Sequence, residues 1–457
     1  MSEPLAPITP AQPCLPPRPA SAPPRDPTAL VDYARSLDCI HCGLCLQTCP
    51  TFRLTGQEAS SPRGRIHLMR AVAEQRLAPD AVFADEMDFC LLCRHCESVC
   101  PAGVQFGAMM EFTRGALEHE RPGGLVRRAL RWLGFRVVLP HRLTLRLAGS
   151  LLRTAQNLGL DRLAERVLGE RGLRHLPRIP PLSARRLLPR RSAATGAGVG
   201  AGVGAGEVTL LEGCVMPEFY ARVNRATVRS LARLGLAVRV PDVVCCGSLH
   251  AHNGDLEGAR GLAHELIAAC ERDSAGAALP LVTNSAGCGA HLKELHHLFP
   301  EDDPLHARAR ALAGRVRDYS EVVAPLLAAR GVELATPPLP QPLTFDDPCH
   351  LCHGQNVRTP PRSVLAVLPG LAYVELPDSE ACCGSAGLYS LLRPADSRAV
   401  FAKKLADLER SGARTLVTAN PGCQMQWESG LARVHSEVRV VHLAEVVDAA
   451  LAPARTD

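Results

Sequence analysis

Two short segments of this sequence repeat one pattern without deviation. CIHCGLCLQTCP at 39–50 and CLLCRHCESVCP at 90–101 both read C-x2-C-x2-C-x3-C-P. A C-x2-C step lets two thiolates converge on one centre while the backbone amides between them point at the sulfurs. Three thiolates so spaced wrap a cubane corner by corner, and the fourth Cys, followed by Pro, leaves on another trajectory. Structural zinc prefers two C-x2-C pairs separated by a longer span, with four ligands per ion. Four Cys within eleven residues, in two copies, point instead to iron–sulfur chemistry.

In two-cluster ferredoxins the fourth Cys ligates the other cluster. This assigns Cys39, Cys42, Cys45 and Cys100 to one [4Fe–4S] cluster, and Cys90, Cys93, Cys96 and Cys49 to a second. His41 and His95 lie inside the blocks and read as loop residues or outer donors, since four Cys already serve each cluster. Ser61, Arg63 and Arg65 lie between the blocks. They read either as a loop-to-helix junction or as positive charge that raises a cluster's potential.

The chain has 457 residues, which suggests roughly three domains. Aromatic residues make up only 4% while 46% are hydrophobic, so Ala, Leu and Val must fill the cores. Nineteen Cys is an odd number, which argues against a purely disulfide framework. No apolar run approaches the roughly 20 residues that cross a bilayer. The first residues carry Pro and Arg without an apolar stretch of the secretory kind. The expectation is a protein of the reducing cytoplasm, where clustered Cys means metal or redox chemistry.

Composition divides the chain. Residues 1–27 are Pro-rich and read as a disordered tail. Residues 28–113 hold the two Cys blocks, with a helix-like stretch from Ile66 to Arg76 between them. Residues 114–192 carry eighteen Arg, no Lys and five acids, with apolar residues at helical spacing (Leu130, Leu133, Val137; Leu158, Leu163, Val167). This stretch reads as a helical connector that is solvated, or that docks an acidic partner or anionic lipid headgroups. Few aromatics and no recognisable module argue against nucleic acid. Residues 193–206 form a Gly/Ala linker. Its glycines all fall on even numbers, so G-x-G-x-x-G fails, and no strand is expected before it.

The remainder repeats itself, as 207–335 and 336–452. EVTLLEGC at 207–214, LAVRVPDVVCCG at 236–247 and LVTNSAGCG at 281–289 answer to LTFDDPC at 343–349, AYVELPDSEACCG at 372–384 and LVTANPGCQ at 416–424. Each fragment is a short apolar or β-branched run, a turn, and Cys. Helix-like stretches intervene (Tyr220 to Leu234, Leu256 to Cys270, Ala395 to Glu409). Alternation of this kind implies parallel α/β units, with every repeated Cys just past the carboxyl end of a strand, where ligand crevices lie. The fold expected is therefore mixed α+β and α/β, a helical ferredoxin-like two-cluster domain followed by a duplicated α/β cysteine-rich domain.

Taken together, the two blocks, the SSPRGRIHLMR segment between them and two Cys-Cys-Gly repeats resemble the iron–sulfur subunits of bacterial glycolate oxidase (glycolate dehydrogenase). LEGC at 211–214, NSAGCGAHLKE at 284–294, CCGSAGLY at 382–389 and LVTANPGCQ at 416–424 extend the resemblance over roughly residues 35–448. It implies an electron-transfer subunit beside FAD-containing subunits that oxidise glycolate to glyoxylate. A quinone at the cytoplasmic face of the inner membrane would be the acceptor, and this chain shows no flavin fingerprint of its own. Cys-Cys-Gly modules also occur in other subunits, so the alternative is a reductase subunit acting on lactate, glycerol-3-phosphate or a disulfide. Relatives of the heterodisulfide reductase type end each module with C-x-x-C. Here His291 follows Cys288 and Gln426 follows Cys423, so a fifth thiolate is missing in both. Four Cys per module remain, Cys214, Cys245, Cys246 and Cys288, and Cys349, Cys382, Cys383 and Cys423. They suffice for a further iron–sulfur cluster, for zinc or for a redox thiol pair. Gly247 and Gly384 let backbone approach a ligand. Cys352, beside His350 and His353, reads as a loop thiol or a spare ligand, and Cys14 and Cys270 as bystanders.

Overall fold

The computed structural model describes residues 30–120, 124–160, 163, 177–196, 206–273, 278–329 and 332–451. The tail at 1–27, Cys14, most of the Gly/Ala linker and Val167 lie outside these residues.

The amino-terminal domain is helical. Its main helices are Pro50–Thr55, Pro62–Ala73, Ala81–Phe89 and Phe106–Glu120. Ser61 starts the second by accepting a hydrogen bond from Gly64 N at 3.0 Å, with Pro62 at the first helical position. Met69, Met87, Met109 and Met110 are fully buried where these helices meet, with Ile66, Phe83 and Phe106 around them. Helix Phe106–Glu120 runs on past residue 113 and packs against Ser248–His252 and Leu256–Asp273, while Pro50–Thr55 packs on Pro394–Ser411. The amino-terminal domain therefore sits on both repeats.

Each repeat is a parallel sheet. The first contains β1 (Arg191–Ser192), β2 (Glu207–Leu210), β3 (Ala237–Arg239), β4 (Leu281–Thr283) and β5 (Val316–Asp318) in the order β1-β3-β2-β4-β5, with only β1 antiparallel. The second contains β6 (Leu343–Phe345), β7 (Thr415–Thr418) and β8 (Arg439–His442) in that order, and Tyr373 bridges to Leu343 where β3 would lie. The two orders superimpose: β2 matches β6, β4 matches β7 and β5 matches β8. Strands β4, β6 and β7 are buried along their whole length, as sheets covered on both faces require. The duplicated α/β architecture is as expected. The short β1 corrects the expectation that no strand precedes the glycine tract. It is two residues long, too short to leave a pattern.

The last strand of each sheet, β5 and β8, feeds a helix through a capping box. Asp318 with Glu321 starts Tyr319–Ala328, and His442 with Glu445 starts Leu443–Ala450. The two modules share one core, with Val208, Leu210, Val238 and Val282 meeting Phe345, Val417 and Val441. Helix Ala221–Arg233 of the first packs on Leu443–Ala450 of the second, and Tyr319–Ala328 packs on Thr359–Val367. These reciprocal pairs are what a pseudo-two-fold relation between copies produces. Tyr220 Oη donates to Glu428 at 2.8 Å across the seam.

The connector is fastened to the first module. Its helices are Leu125–Trp132, a π-type turn Leu133–Val138, and Arg142–Asn157. Arg136 pairs with Asp255 at 2.8 Å, Arg142 with buried Glu212 at 2.8 Å, and Arg185 with buried Glu218. Arg131 reaches Asn253 O at 3.0 Å. Much of the arginine excess is thus consumed inside the molecule, while Leu143, Leu147, Leu151 and Leu158 face solvent in a row. Among the described residues no helix is long and apolar enough to cross a membrane.

Candidate metal centres

The two Cys loops share one backbone. His41 and Gly43 in the first, and Leu92 and Arg94 in the second, take positive φ at equivalent positions between successive cysteines. Each left-handed residue turns the chain back, so that the amides and thiols face one point. A Cβ at Gly43 (φ 85°) would stand 2.7 Å from Arg63 Nη1, so a side chain there would be strained in its backbone and would displace the Arg63 guanidinium. Arg94 tolerates the same strained conformation because two carboxylates hold its guanidinium, Glu97 at 2.6 Å and Glu294 of the first module at 2.5 Å.

Cys49 caps helix Pro50–Thr55 and stands between the two thiol sets, close enough to act on Cys45, Cys93 and Cys96. Its Sγ contacts Thr51 Oγ1 at 3.2 Å. Arg65, with no exposure at all, donates to Thr51 Oγ1 at 3.1 Å, to Ser60 O at 2.8 Å and to Glu86 O at 2.8 Å. Arg63 donates to His41 O at 3.0 Å and pairs with Glu58. The segment between the loops is therefore a clamp that holds both.

Exposure differs between the sets. Cys42 is exposed and Cys39 and Cys45 are half-buried, whereas Cys90, Cys93 and Cys96 are buried. The buried set faces the second module. Cys93 lies within hydrogen-bonding reach of Cys382, and that neighbour together with burial pushes the Cys93 thiol well up. Leu91, Cys93, Cys349, Cys382, Tyr389 and Val400 form one buried cluster, and Tyr389 Oη donates to Phe89 O at 3.2 Å.

Within the first module, Cys214 follows β2, Cys245 and Cys246 follow β3, and Cys288 lies in the first turn of helix Ala286–Lys293 after β4. Cys245 reaches both Cys214 and Cys246, and Cys246 reaches Cys288. They lie where the strand order reverses about β2, the place where open α/β sheets take ligands. In the second module Cys349 reaches Cys382, and Cys383 Sγ lies 3.4 Å from Cys423 Sγ. Both Cys-Cys-Gly turns have the same geometry. Gly247 (φ 92°) and Gly384 (φ 84°) each direct an N–H at the first Cys of the pair, 3.4 Å from Cys245 Sγ and from Cys382 Sγ. A Cβ at Gly384 would lie 2.5 Å from Ser397 O.

None of these sixteen cysteines is in a disulfide. Ionising several touching, buried thiols would put like charges together, which burial alone makes costly. A bound cation removes that cost, because a coordinating thiol gives up its proton to the metal. The donor set therefore suits metal centres in both modules as well as in the two loops. Cys352 is turned to its own backbone. It is buried, and its Sγ contacts Pro348 O at 3.4 Å and Cys349 O at 3.7 Å of its own turn. Cys270 lies in the core of the first module.

Several surrounding groups carry no mark in the sequence. Glu212 and Asp347, each two residues before the first Cys of its module, are buried and paired with Arg142 and Arg362, both at 2.8 Å. Glu111 bonds His252 Nδ1 at 2.5 Å, and His252 Nε2 meets His350 Nε2 at 3.1 Å. The other nitrogen of His350 lies 3.5 Å from Cys349 Sγ. Burial drives His350 well down, so it is neutral. His95 stacks on His353 with centroids 3.9 Å apart, and burial pushes His353 down to about 3. Only the repeat offset could have exposed the paired carboxylates. His252 and His350 meet across the seam between modules, and His95 meets His353 where the amino-terminal domain docks on the second, so neither pair has a local signature.

Three family models match the chain, over four stretches. A 4Fe-4S dicluster domain covers 35–104, a cysteine-rich domain covers 208–293 and 343–428, and the linker region of the glycolate oxidase iron–sulfur subunit covers 126–176. The probable glycolate oxidase iron–sulfur subunit of Bacillus subtilis is 34% identical, over 91% of this chain and 94% of that protein. The glycolate oxidase iron–sulfur subunit of Escherichia coli is 33% identical, over 90% and 93%. Lactate utilization protein A of Geobacillus kaustophilus is 30% identical, over 99% of its own length but 53% of this chain. Likeness along nine-tenths of both chains, through loops, connector and both modules, places this protein in the family of glycolate oxidase iron–sulfur subunits.

Proposed function

We propose that this chain is the electron-transfer member of a glycolate-oxidising complex. It takes single electrons from an FAD-containing partner that oxidises glycolate to glyoxylate and passes them towards a membrane quinone. Cys39, Cys42, Cys45 and Cys100 hold one [4Fe–4S] cluster, Cys90, Cys93, Cys96 and Cys49 a second, and the four thiols of each module a further iron–sulfur centre. Clusters of this kind supply one-electron exchange.

The observation that carries this reading is the gradient of exposure. The first thiol set opens to solvent, and Leu37, Ile40 (68% exposed) and Leu44 lie bare around it, a rim suited to a redox partner. The second set is buried and touches the second module through Cys93 and Cys382. Of the seven Arg between residues 124 and 160, Arg127, Arg131, Arg136 and Arg142 pair with acids of this chain, while Leu143, Leu147 and Leu151 stand bare on one helix face. An Arg-bearing amphipathic helix with such a face suits the surface of an anionic membrane, here the cytoplasmic face.

The test is anaerobic reduction followed by EPR. Glycolate should reduce the iron of this chain only when the flavin-bearing partner is present. Reduction by lactate or glycerol-3-phosphate but not glycolate would move the substrate. Turnover of a disulfide by the isolated chain with an artificial donor would replace the electron-transfer reading with a catalytic one.

A further inference from the structure

Helix Ala286–Lys293 carries Cys288 in its first turn and His291 three residues later, so the two side chains leave the same face. His291 is 8% exposed, and its Nε2 is buried without a hydrogen-bond partner. That nitrogen lies against the Cys-Cys-Gly turn, where a Cβ built on Gly247 would stand 3.3 Å from it. Gly247 in turn points its N–H at Cys245 Sγ. An unpaired buried imidazole nitrogen is costly, and native folds keep one for a reason.

The second module differs at this position. Gln426 stands three residues after Cys423, and its Nε2 donates to Ser397 Oγ at 3.2 Å, while Ser397 Oγ donates to Gly384 O at 2.8 Å. The group that faces the thiols in the first module thus braces the turn in the second. His250 also stands beside Cys245, with its Nε2 held by Phe135 O at 2.8 Å and its Nδ1, like His291 Nε2, buried without a hydrogen-bond partner; it differs from His291 in lying on another helix than Cys288.

We propose that His291 Nε2 is a fifth ligand to the iron–sulfur centre held by Cys214, Cys245, Cys246 and Cys288, so that the two modules hold chemically different centres. This rests on the reading that the first module binds iron. Five convergent donors exceed the four that a structural zinc ion takes, which favours a polynuclear iron centre. A neutral nitrogen ligand adds no negative charge, and exchange of thiolate for imidazole raises the potential of an iron–sulfur centre. The first-module centre therefore sits at a higher potential with His291 than it would with Cys at the same position.

Pulsed EPR of the full chain, purified anaerobically and reduced, tests this directly. A strongly coupled nitrogen signal should appear and should shift when the histidines carry 15N, which needs no variant. His291→Cys should abolish it with iron content unchanged and move the first-module potential downward. His250→Gln and Gln426→Ala should leave it intact. The proposal is overturned if iron that depends on Cys245 shows no histidine nitrogen, or if the signal follows His250 instead. Should Cys245→Ala remove no iron, or zinc occupy the site, the inference fails together with the reading beneath it.

Discussion

Replacing Arg65 by Met keeps most of the volume and removes the charge. The guanidinium is fully buried, donates to three oxygens at 2.8–3.1 Å and lies 3.6 Å from Glu86. Removing one member of a buried pair costs about 3–5 kcal/mol, because the groups left behind stay desolvated. Two carbonyls and the Thr51 hydroxyl lose their donor, and the Glu86 carboxylate, which keeps its hydrogen bond from Ser60 Oγ, loses the facing cation. The loss is local to the clamp between the loops, so it reads out as local opening rather than as a global midpoint. Amide hydrogen exchange in helix Pro62–Ala73 should lose about 10²- to 10⁴-fold of protection at 1.36 kcal/mol per decade. Because Thr51 touches Cys49 Sγ, iron of the second cluster should also become easier to chelate. Arg65→Lys should fall between the two, since an ammonium cannot reach all three oxygens. Protection unchanged within threefold in Arg65→Met would refute the clamp.

Asp318 is fully buried with Oδ2 unpartnered, and burial raises its pKa from 3.8 to about 6. A folded pKa above the unfolded one favours the protonated form, so its stabilisation is full below pH 4 and is lost as pH rises through 6. Two units correspond to about 3 kcal/mol at neutral pH. Asp318→Asn, which keeps the cap, should flatten that slope and raise neutral-pH thermal stability, and an unchanged pH profile would contradict it. Leu143, Leu147 and Leu151 changed together to Ser should reduce co-sedimentation with anionic vesicles while leaving iron content alone, and equal binding would exclude this face. Cys352→Ser should leave metal content unchanged, whereas Cys349→Ala and Cys423→Ala should each lower it. Loss of iron in Cys352→Ser would make it a ligand.

Legibility followed range. The Cys loops and the repeated strand–turn–Cys fragments are local patterns, and the structure places six of the eight repeated Cys past strand ends, while ahead of Cys382 and Cys383 the expected strand is reduced to the bridge of Tyr373 to Leu343. Strands β5 and β8 escaped notice because VRD and RVVH are short, alternate with charge and end without Cys. The arginine-rich connector reads as a charged surface from composition alone. In the fold many of those charges meet Asp255, Glu212 and Glu218, residues outside the reach of any window, and leucines take the surface instead. Likewise the contact of Cys93 with Cys382 joins residues 289 positions apart, and only the docking of the amino-terminal domain on the second module creates it.

Iron and acid-labile sulfide analysis of the anaerobically purified chain, read beside its reduced EPR spectrum, addresses the central claim. Two neighbouring [4Fe–4S] clusters require at least about eight irons with matching sulfide and a spectrum broadened by mutual magnetic interaction. Zinc in their place, or a colourless iron-free chain after assembly with iron and sulfide supplied, would contradict it.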